Sequence, residues 1–240
     1  MTLFLHEVHE VRGAGEDDFE SAYRDPGGWM ELMAGLEGGN GARLLWYANH
    51  AHGSGPSYHV VTITALADGA TWERLARSVQ RGDLAAWAER VDRLRHDVRA
   101  KLLLPVHWSP LQEVDLAAVP ITPQDHALSL FMEDTGWPDA PLDDYIDFWG
   151  DVYYPLLARQ PVGTGLLEIQ ACFQPAHGTH RRPEAILFQK IHRYDRLLEL
   201  LTTETPPERR AAGTYMAEAL TFRDQWESRL LRTSSWSPWF

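Results

Sequence analysis

The sequence predicts an α+β fold in which one βαββαβ unit is written twice. Three observations carry that expectation. The tripeptide Trp108-Ser109-Pro110 recurs as Trp236-Ser237-Pro238 near the end of the chain. Further matches follow in the same order: Glu7 with Glu133, Leu44-Leu45 with Leu166-Leu167, Ala51-His52-Gly53 with Ala176-His177-Gly178, and Asp68 with Asp195, all spaced by 122 to 128 residues. Period-two and helical hydrophobic patterns also succeed one another alike in the two halves.

Residues 3–11 (LFLHEVHEV) alternate and run into Arg12-Gly13-Ala14-Gly15, a strand followed by a turn. Residues 16–37 read as a helix with acids in its first turns, where the positive helix end favours them. Asp25-Pro26-Gly27-Gly28 must break or kink it. Residues 43–50 (RLLWYANH) and 58–66 (YHVVTITAL) are strands, and the short turn between them implies an antiparallel hairpin. Residues 68–98 are helical with a break near Gly82-Asp83, and Trp87, Val91, Leu94 and Val98 share one face. A fourth strand at 101–106 runs into His107 and Trp108-Ser109-Pro110. This order is the split βαβ, or ferredoxin-like, unit.

The chain therefore divides into a first unit at 1–115, a linker at 116–126 holding two prolines, and a second unit at 127–240. In the second unit, 127–133 repeats the first strand. Residues 143–159 repeat the first helix with a stripe of Tyr145, Phe148, Trp149, Val152 and Tyr153, and 165–173 with 184–192 repeat the hairpin. Pro206-Pro207 is expected to start a long helix with Met216, Ala219, Leu220, Trp226 and Leu230 on its apolar face, before a last strand at 229–236. Two four-stranded sheets, each with helices on one face only, would expose their other faces. Stacking the sheets face to face gives a pseudo-dimeric α+β barrel with a space between them, where a ligand would sit.

Composition narrows the function. A formal charge of −12 in 240 residues argues against nucleic acid as a partner. No apolar run is long enough to cross a bilayer, no targeting signal stands at either end, and the single Cys172 fits a reducing cytoplasm. Dinucleotide, triphosphate, serine-hydrolase and zinc-protease motifs are absent.

Glu7 in the first strand, Arg43-Leu44-Leu45-Trp46-Tyr47 in the second and the closing residues 104–111 (LPVHWSPL) resemble the dimeric α+β barrel superfamily. Within it, the first half resembles the NIPSNAP-type domain. The resemblance implies a fused pair of units that other members bring together as separate subunits, and it is compatible with a homo-oligomer. It also implies one of several activities: cofactor-independent monooxygenation, isomerisation of small lactones, or haem-dependent chemistry.

The residues themselves point to acid–base work. Glu7 and Glu133, matched on the first strands, are candidate buried carboxylates able to act as general base, with His9 on the face of Glu7 to orient it. His59 and His107, in or at the end of strands, are candidate proton shuttles or, on a haem reading, proximal ligands. His50 and His52 share a face and with a carboxylate would suit a metal, although no metal site is expected. His177, His180, Arg181 and Arg182 form a loop, in the sharper reading a lid for an anionic substrate. Trp46, Tyr58, Trp108 and Trp236 are candidate aromatic walls for a planar substrate. The expectation is an enzyme acting on a small apolar or aromatic molecule without a bound cofactor. A haem protein and a non-catalytic binding protein are the alternatives.

Overall fold

The computed structural model describes residues 1–161, 163–178 and 182–240. Its first four strands are β1 (Leu3–Val11), β2 (Ala42–His50), β3 (His59–Leu66) and β4 (Arg95–Pro105). The last four are β5 (Leu130–Trp137), β6 (Leu167–His177), β7 (Ala185–Ile191) and β8 (Gln225–Thr233). Together they form one closed antiparallel barrel in the order β1-β3-β2-β8-β5-β7-β6-β4. The first four strands thus lie as 4-1-3-2 and the last four as 8-5-7-6, the same relative order. Both hairpins carry a register shift, between Leu44 and Trp46 and between Ile169 and Ala171. Such an extra residue bends the strand and aids closure.

Where two stacked sheets were expected, the two sets of four strands join edge to edge into one barrel. Ala48–His50 of β2 pairs with Leu231–Thr233 of β8, and Leu102–Pro105 of β4 pairs with residues 173–177 of β6. Closure removes the exposed strand edges that would otherwise template aggregation.

Helices cover the outside. They are α1 (Glu16–Arg24), α2 (Trp29–Gly35), α3 (Gly69–Arg81), α4 (Ala85–Leu94), α5 (Leu142–Phe148), α6 (Tyr154–Ala158), α7 (Tyr194–Thr202) and α8 (Tyr215–Ala219). A π-helical turn at Trp149–Tyr153 joins α5 to α6. The expected break at 25–28 separates α1 from α2. Three expectations change. Helix α4 stops at Leu94 and β4 begins at Arg95, six residues early. Helix α7 was not foreseen, and the long helix after Pro206 reduces to a 3-10 turn at Pro207–Arg210 and the five-residue α8. Trp226 and Leu230 lie on β8, so their helical spacing was coincidental.

The barrel interior has two ends. At one, Phe4, Trp46, Phe131, Phe173 and Phe188 pack together, with Trp46 4.8 Å from both Phe188 and Trp239. The end of the first unit and the start of the expected linker cap this end, because Leu111 and Val114 of the one and Leu116 and Val119 of the other pack onto it. Each such buried side chain contributes about 1.5–3 kcal/mol. The other end is charged and holds a space of only about 80 Å³. Among the described residues the interior therefore holds no roomy cavity of the kind expected between the sheets: large aromatic side chains fill one end and ion pairs narrow the other.

The repeated Trp-Ser-Pro is a reciprocal strap rather than a substrate wall. Trp108, from the first half, donates from Nε1 to the Ile146 carbonyl of α5 at 2.8 Å and lies near Tyr154. Gly150 permits this, since a Cβ there would meet the indole nitrogen at 2.7 Å. Trp236, from the second half, donates to Glu20 of α1 at 2.6 Å and packs on Tyr47. Ser109 Oγ accepts the Cys172 N–H at 2.9 Å, and Ser237 Oγ accepts the Tyr47 N–H at 3.0 Å. Each hydroxyl then donates to a carbonyl two residues on, that of Leu111 or Trp239. Each copy thus closes on the opposite half of the barrel.

Candidate active site

Strand alternation sorts the candidate residues before any chemistry does. On β1, Phe4, His6 and Val8 face the barrel interior, while Leu5, Glu7 and His9 face the helices. On β5, Phe131 and Glu133 face the interior, and Asp134 faces the helices. Glu7 and Glu133 therefore sit on opposite faces and are not counterparts. Glu7 matches Asp134, one residue further on, and His6 matches Glu133.

A mostly apolar space that holds a buried carboxyl lies between the outer face of β5, β7 and β8 and the segment that carries α8. It is a cavity of about 320 Å³ lined by Asp134, Trp149, Tyr153, Leu187, Tyr215, Leu220, Arg223 and Trp226, among others. Phe148 stacks with Phe222 at 4.6 Å, and Tyr215 with Tyr153 at 4.6 Å, so one wall is a block of parallel rings. Exposed Met216, Leu220 and Trp226 rim the opening.

Asp134 is the buried carboxyl of this cavity. Gln189 Nε2 donates to its Oδ2 at 2.8 Å, and Tyr153 Oη in turn donates to Gln189 Oε1 at 3.0 Å. Its Oδ1 has no well-formed partner. Burial pushes the carboxyl up to about 6, against the pull of Ser228, Gln189 and Arg223. Burial likewise raises Tyr153 and Tyr145, and Tyr215 to about 12, so these phenols stay protonated as donors. A carboxyl that titrates near neutrality beside fixed phenol donors suits proton abstraction.

The matching region of the first half is filled. Trp29 and Trp87 stack at 4.5 Å over Tyr23, where the second half has its cavity. Glu7 keeps some solvent contact, yet the surrounding protein raises it to about 7, opposed by Arg95. His9 shares its face, as expected from the alternation. Arg95 donates to His9 Nδ1 at 2.9 Å, leaving Nε2–H for Thr62 and Tyr23. Burial, with Arg95, holds this imidazole neutral.

The charged end of the barrel gathers others. His6 and Arg229 each donate to Glu133 at 2.7 Å, and Lys101 pairs with Glu184 at 2.6 Å. Burial alone would raise Glu133, but His6, Arg229 and Lys101 outweigh it and hold the carboxyl well below its usual range. Ionised and saturated, Glu133 is a poor base. His59 is buried here, 3.3 Å from Glu10, and burial lowers its pKa. Its neighbour His50 falls to about 4 for the same reason.

The remaining expectations scatter. His107 is exposed beside Asp147, and Tyr58 is exposed over Gly13. Trp46 is sealed in the aromatic end. His177 is exposed at the end of β6, and Arg182 pairs with Asp139 and Asp224, while His180 and Arg181 lie outside the described residues. Among the described residues no group of His, Cys, Asp or Glu is placed to hold a metal, and no helix is long and apolar enough to cross a membrane. Sequence reasoning missed Asp134, Gln189 and Arg223. The spacing of 127 already visible at Asp68 and Asp195 would have paired Glu7 with Asp134.

No protein-family model matches the chain, and no curated protein matches it. Solved structures do. A protein named for an inferred monooxygenase activity from Lactobacillus acidophilus NCFM aligns over 98% of this chain and 97% of its own, at 12% identity and a TM-score of 0.56. An anthrone oxidase-like protein aligns over 97% and 91%, at 9% identity and a TM-score of 0.57. A NIPSNAP family protein from Agrobacterium tumefaciens aligns over 47% of this chain and 100% of its own, at 20% identity, with a TM-score of only 0.38. The chain has the fold of the dimeric α+β barrel superfamily.

Proposed function

We propose that this protein binds a small planar, mostly apolar molecule in the cavity beneath α8 and acts on it by acid–base chemistry, with Asp134 as general base. The observation that carries the reading is a carboxyl raised to about 6 by burial inside an aromatic cavity of about 320 Å³. In its ionised form Asp134, which lines the cavity, takes a proton from the bound molecule, and Gln189 steadies its carboxyl by donating to Oδ2. Rings of Trp149, Tyr153 and Tyr215 exclude water and set the plane of the substrate. Proton removal from a carbon next to a ring carbonyl, or from a phenolic O–H, yields an enolate or phenolate, a common first step of cofactor-free oxygenation, cyclisation and isomerisation. The names of the two full-length structural matches given above lean toward oxygenation. The shared strand order and matched bulges support reading the chain as a fused pair of units, of which the second carries the site.

Haem suits the residues less well. His107 is on the surface, His59 is bound to Glu10, and no histidine lines the cavity among the described residues. A Soret band on haem titration would reopen that reading. The main test is a panel of anthrone-type and hydroxyaromatic compounds in air, followed by oxygen uptake and absorbance. Turnover lost in Asp134→Asn and kept in Glu7→Gln supports the assignment. Turnover retained by Asp134→Asn overturns it.

A further inference from the structure

Among the described residues, no acidic side chain forms an ion pair in direct contact with Arg223. Its side chain is buried in the cavity wall, 9% exposed. Nε donates to Tyr145 Oη at 2.6 Å, the guanidinium lies 5.1 Å from the Trp226 ring centre, and the Tyr215 hydroxyl is a further polar neighbour. These are neutral partners. Asp134 feels this charge through space but bonds to Gln189 rather than to Arg223, Asp224 pairs with Arg182 at 3.6 Å, and Glu133 bonds to His6 and Arg229 on the other side of the sheet. Arg229, by contrast, pairs with Glu133 and Glu227, while Arg43, also without an acid beside it, spends its N–H groups on the carbonyls of Ala42, Gly39 and Met33. A buried cation without a counter-charge is costly, so buried charges are almost always paired.

We infer that the ligand of this cavity supplies the missing charge: a planar aromatic ring bearing one anionic group, carboxylate or acidic phenolate, which Arg223 receives. The inference rests on the cavity reading above and adds its substrate class. The planar guanidinium donates two parallel N–H bonds to a carboxylate, which a lysine would not reproduce. Tyr145 and Trp226 hold that plane fixed before the ligand arrives, and Arg210 on the cavity lining adds a second positive charge near the opening. The ring then lies among Trp149, Tyr153 and Tyr215, its uncharged part against the apolar wall.

The test compares 2-naphthoate with its neutral isostere 2-naphthamide at pH 7.5, by calorimetry and by quenching of tryptophan emission. Wild-type protein should bind the carboxylate at least tenfold tighter than the amide. Arg223→Gln should lose that preference while keeping its affinity for the amide, and Arg223→Lys should recover only part of it. Equal binding of the two probes by wild type overturns the charge inference and leaves the cavity reading standing. Binding of neither probe overturns both. A preference for naphthoate that survives in folded Arg223→Gln, judged by its melting curve, also overturns the inference; if that variant does not fold, the wild-type comparison and Arg223→Lys decide.

Discussion

At the scale of residues, the outcome turns on one step along β5. Glu133 looked like the partner of Glu7 because both are glutamates, but a strand reverses its facing at every residue. The slip exchanges a poised base for a saturated ion pair. Residue type was legible in the sequence; facing was legible only once the register was set by more than one letter. Glu7 and His9 were placed together correctly for that reason, since both lie on one strand. His107 was not, because a strand end carries no facing information. The pKa of Asp134 gives a paired prediction. Its folded value, about 6, lies above the unfolded value near 3.8, so its contribution to stability is fully present below about 3.8 and is lost as pH rises through 6. At pH 7.5 the buried ionised carboxylate therefore costs on the order of 1–3 kcal/mol. Asp134→Asn should raise stability by about that amount in chemical denaturation at pH 7.5 and change little at pH 4. Turnover in wild type should rise with pH through a midpoint near 6. A pH-independent effect on stability would mean that the carboxyl is not held as described.

At the scale of elements, the contrast between α4 and α8 explains why one half has a cavity and the other does not. In the first half, α4 delivers Trp87 onto Trp29 and fills the layer. In the second, the same position in the unit is taken by a short turn and a five-residue helix, and the rings stand apart. The sequence hid this because Met216, Leu220, Trp226 and Leu230 fit a helical stripe that continues straight into β8, while Pro206-Pro207 drew attention away from α7 just before it. The Trp-Ser-Pro straps were visible as a repeat, but their exchange between halves was not, since no local pattern says which half a side chain will cross to. Their weight can be measured. Losing a hydroxyl that accepts a buried backbone N–H costs about 1–3 kcal/mol. Ser109→Ala and Ser237→Ala should each lose about that much in urea denaturation, and the double variant should lose close to the sum, because the two straps close opposite seams of the barrel. Unchanged stability in both single variants would remove the strap as a structural device.

At the scale of the whole molecule, the barrel is held shut by contacts that join the halves, and its charged end is the part most open to test. The hydrogen bond of His6 to Glu133 and the ion pair of Lys101 with Glu184 each link a strand of the first half to the second. The α+β class and the strand succession were legible from hydrophobic period alone, and a sheet with one bare face had to find another. What period could not say was whether the interior would be hollow, since that depends on side-chain volume: Phe4, Trp46, Phe131, Phe173 and Phe188 meeting at one level leave no room. The charged end cannot be packed in that way and depends on protonation. Glu133 has its folded pKa well below the ordinary 4.5, so the stability it contributes is present above about 4.5 and drains away as pH falls toward the folded value. Removing one member of a buried ion network typically costs about 3–5 kcal/mol, because its partners are left uncompensated. Glu133→Gln should therefore lower the melting temperature markedly at pH 7, leaving His6 and Arg229 without their anion. The difference from wild type should shrink as pH falls below about 4.5, where the unfolded chain takes up the proton that the folded carboxylate still refuses. Replacing the His6–Glu133 pair by Phe and Leu together should recover part of the loss, since apolar packing tolerates the closed seam. A Glu133→Gln protein as stable as wild type at pH 7 would show that closure rests on the aromatic end alone.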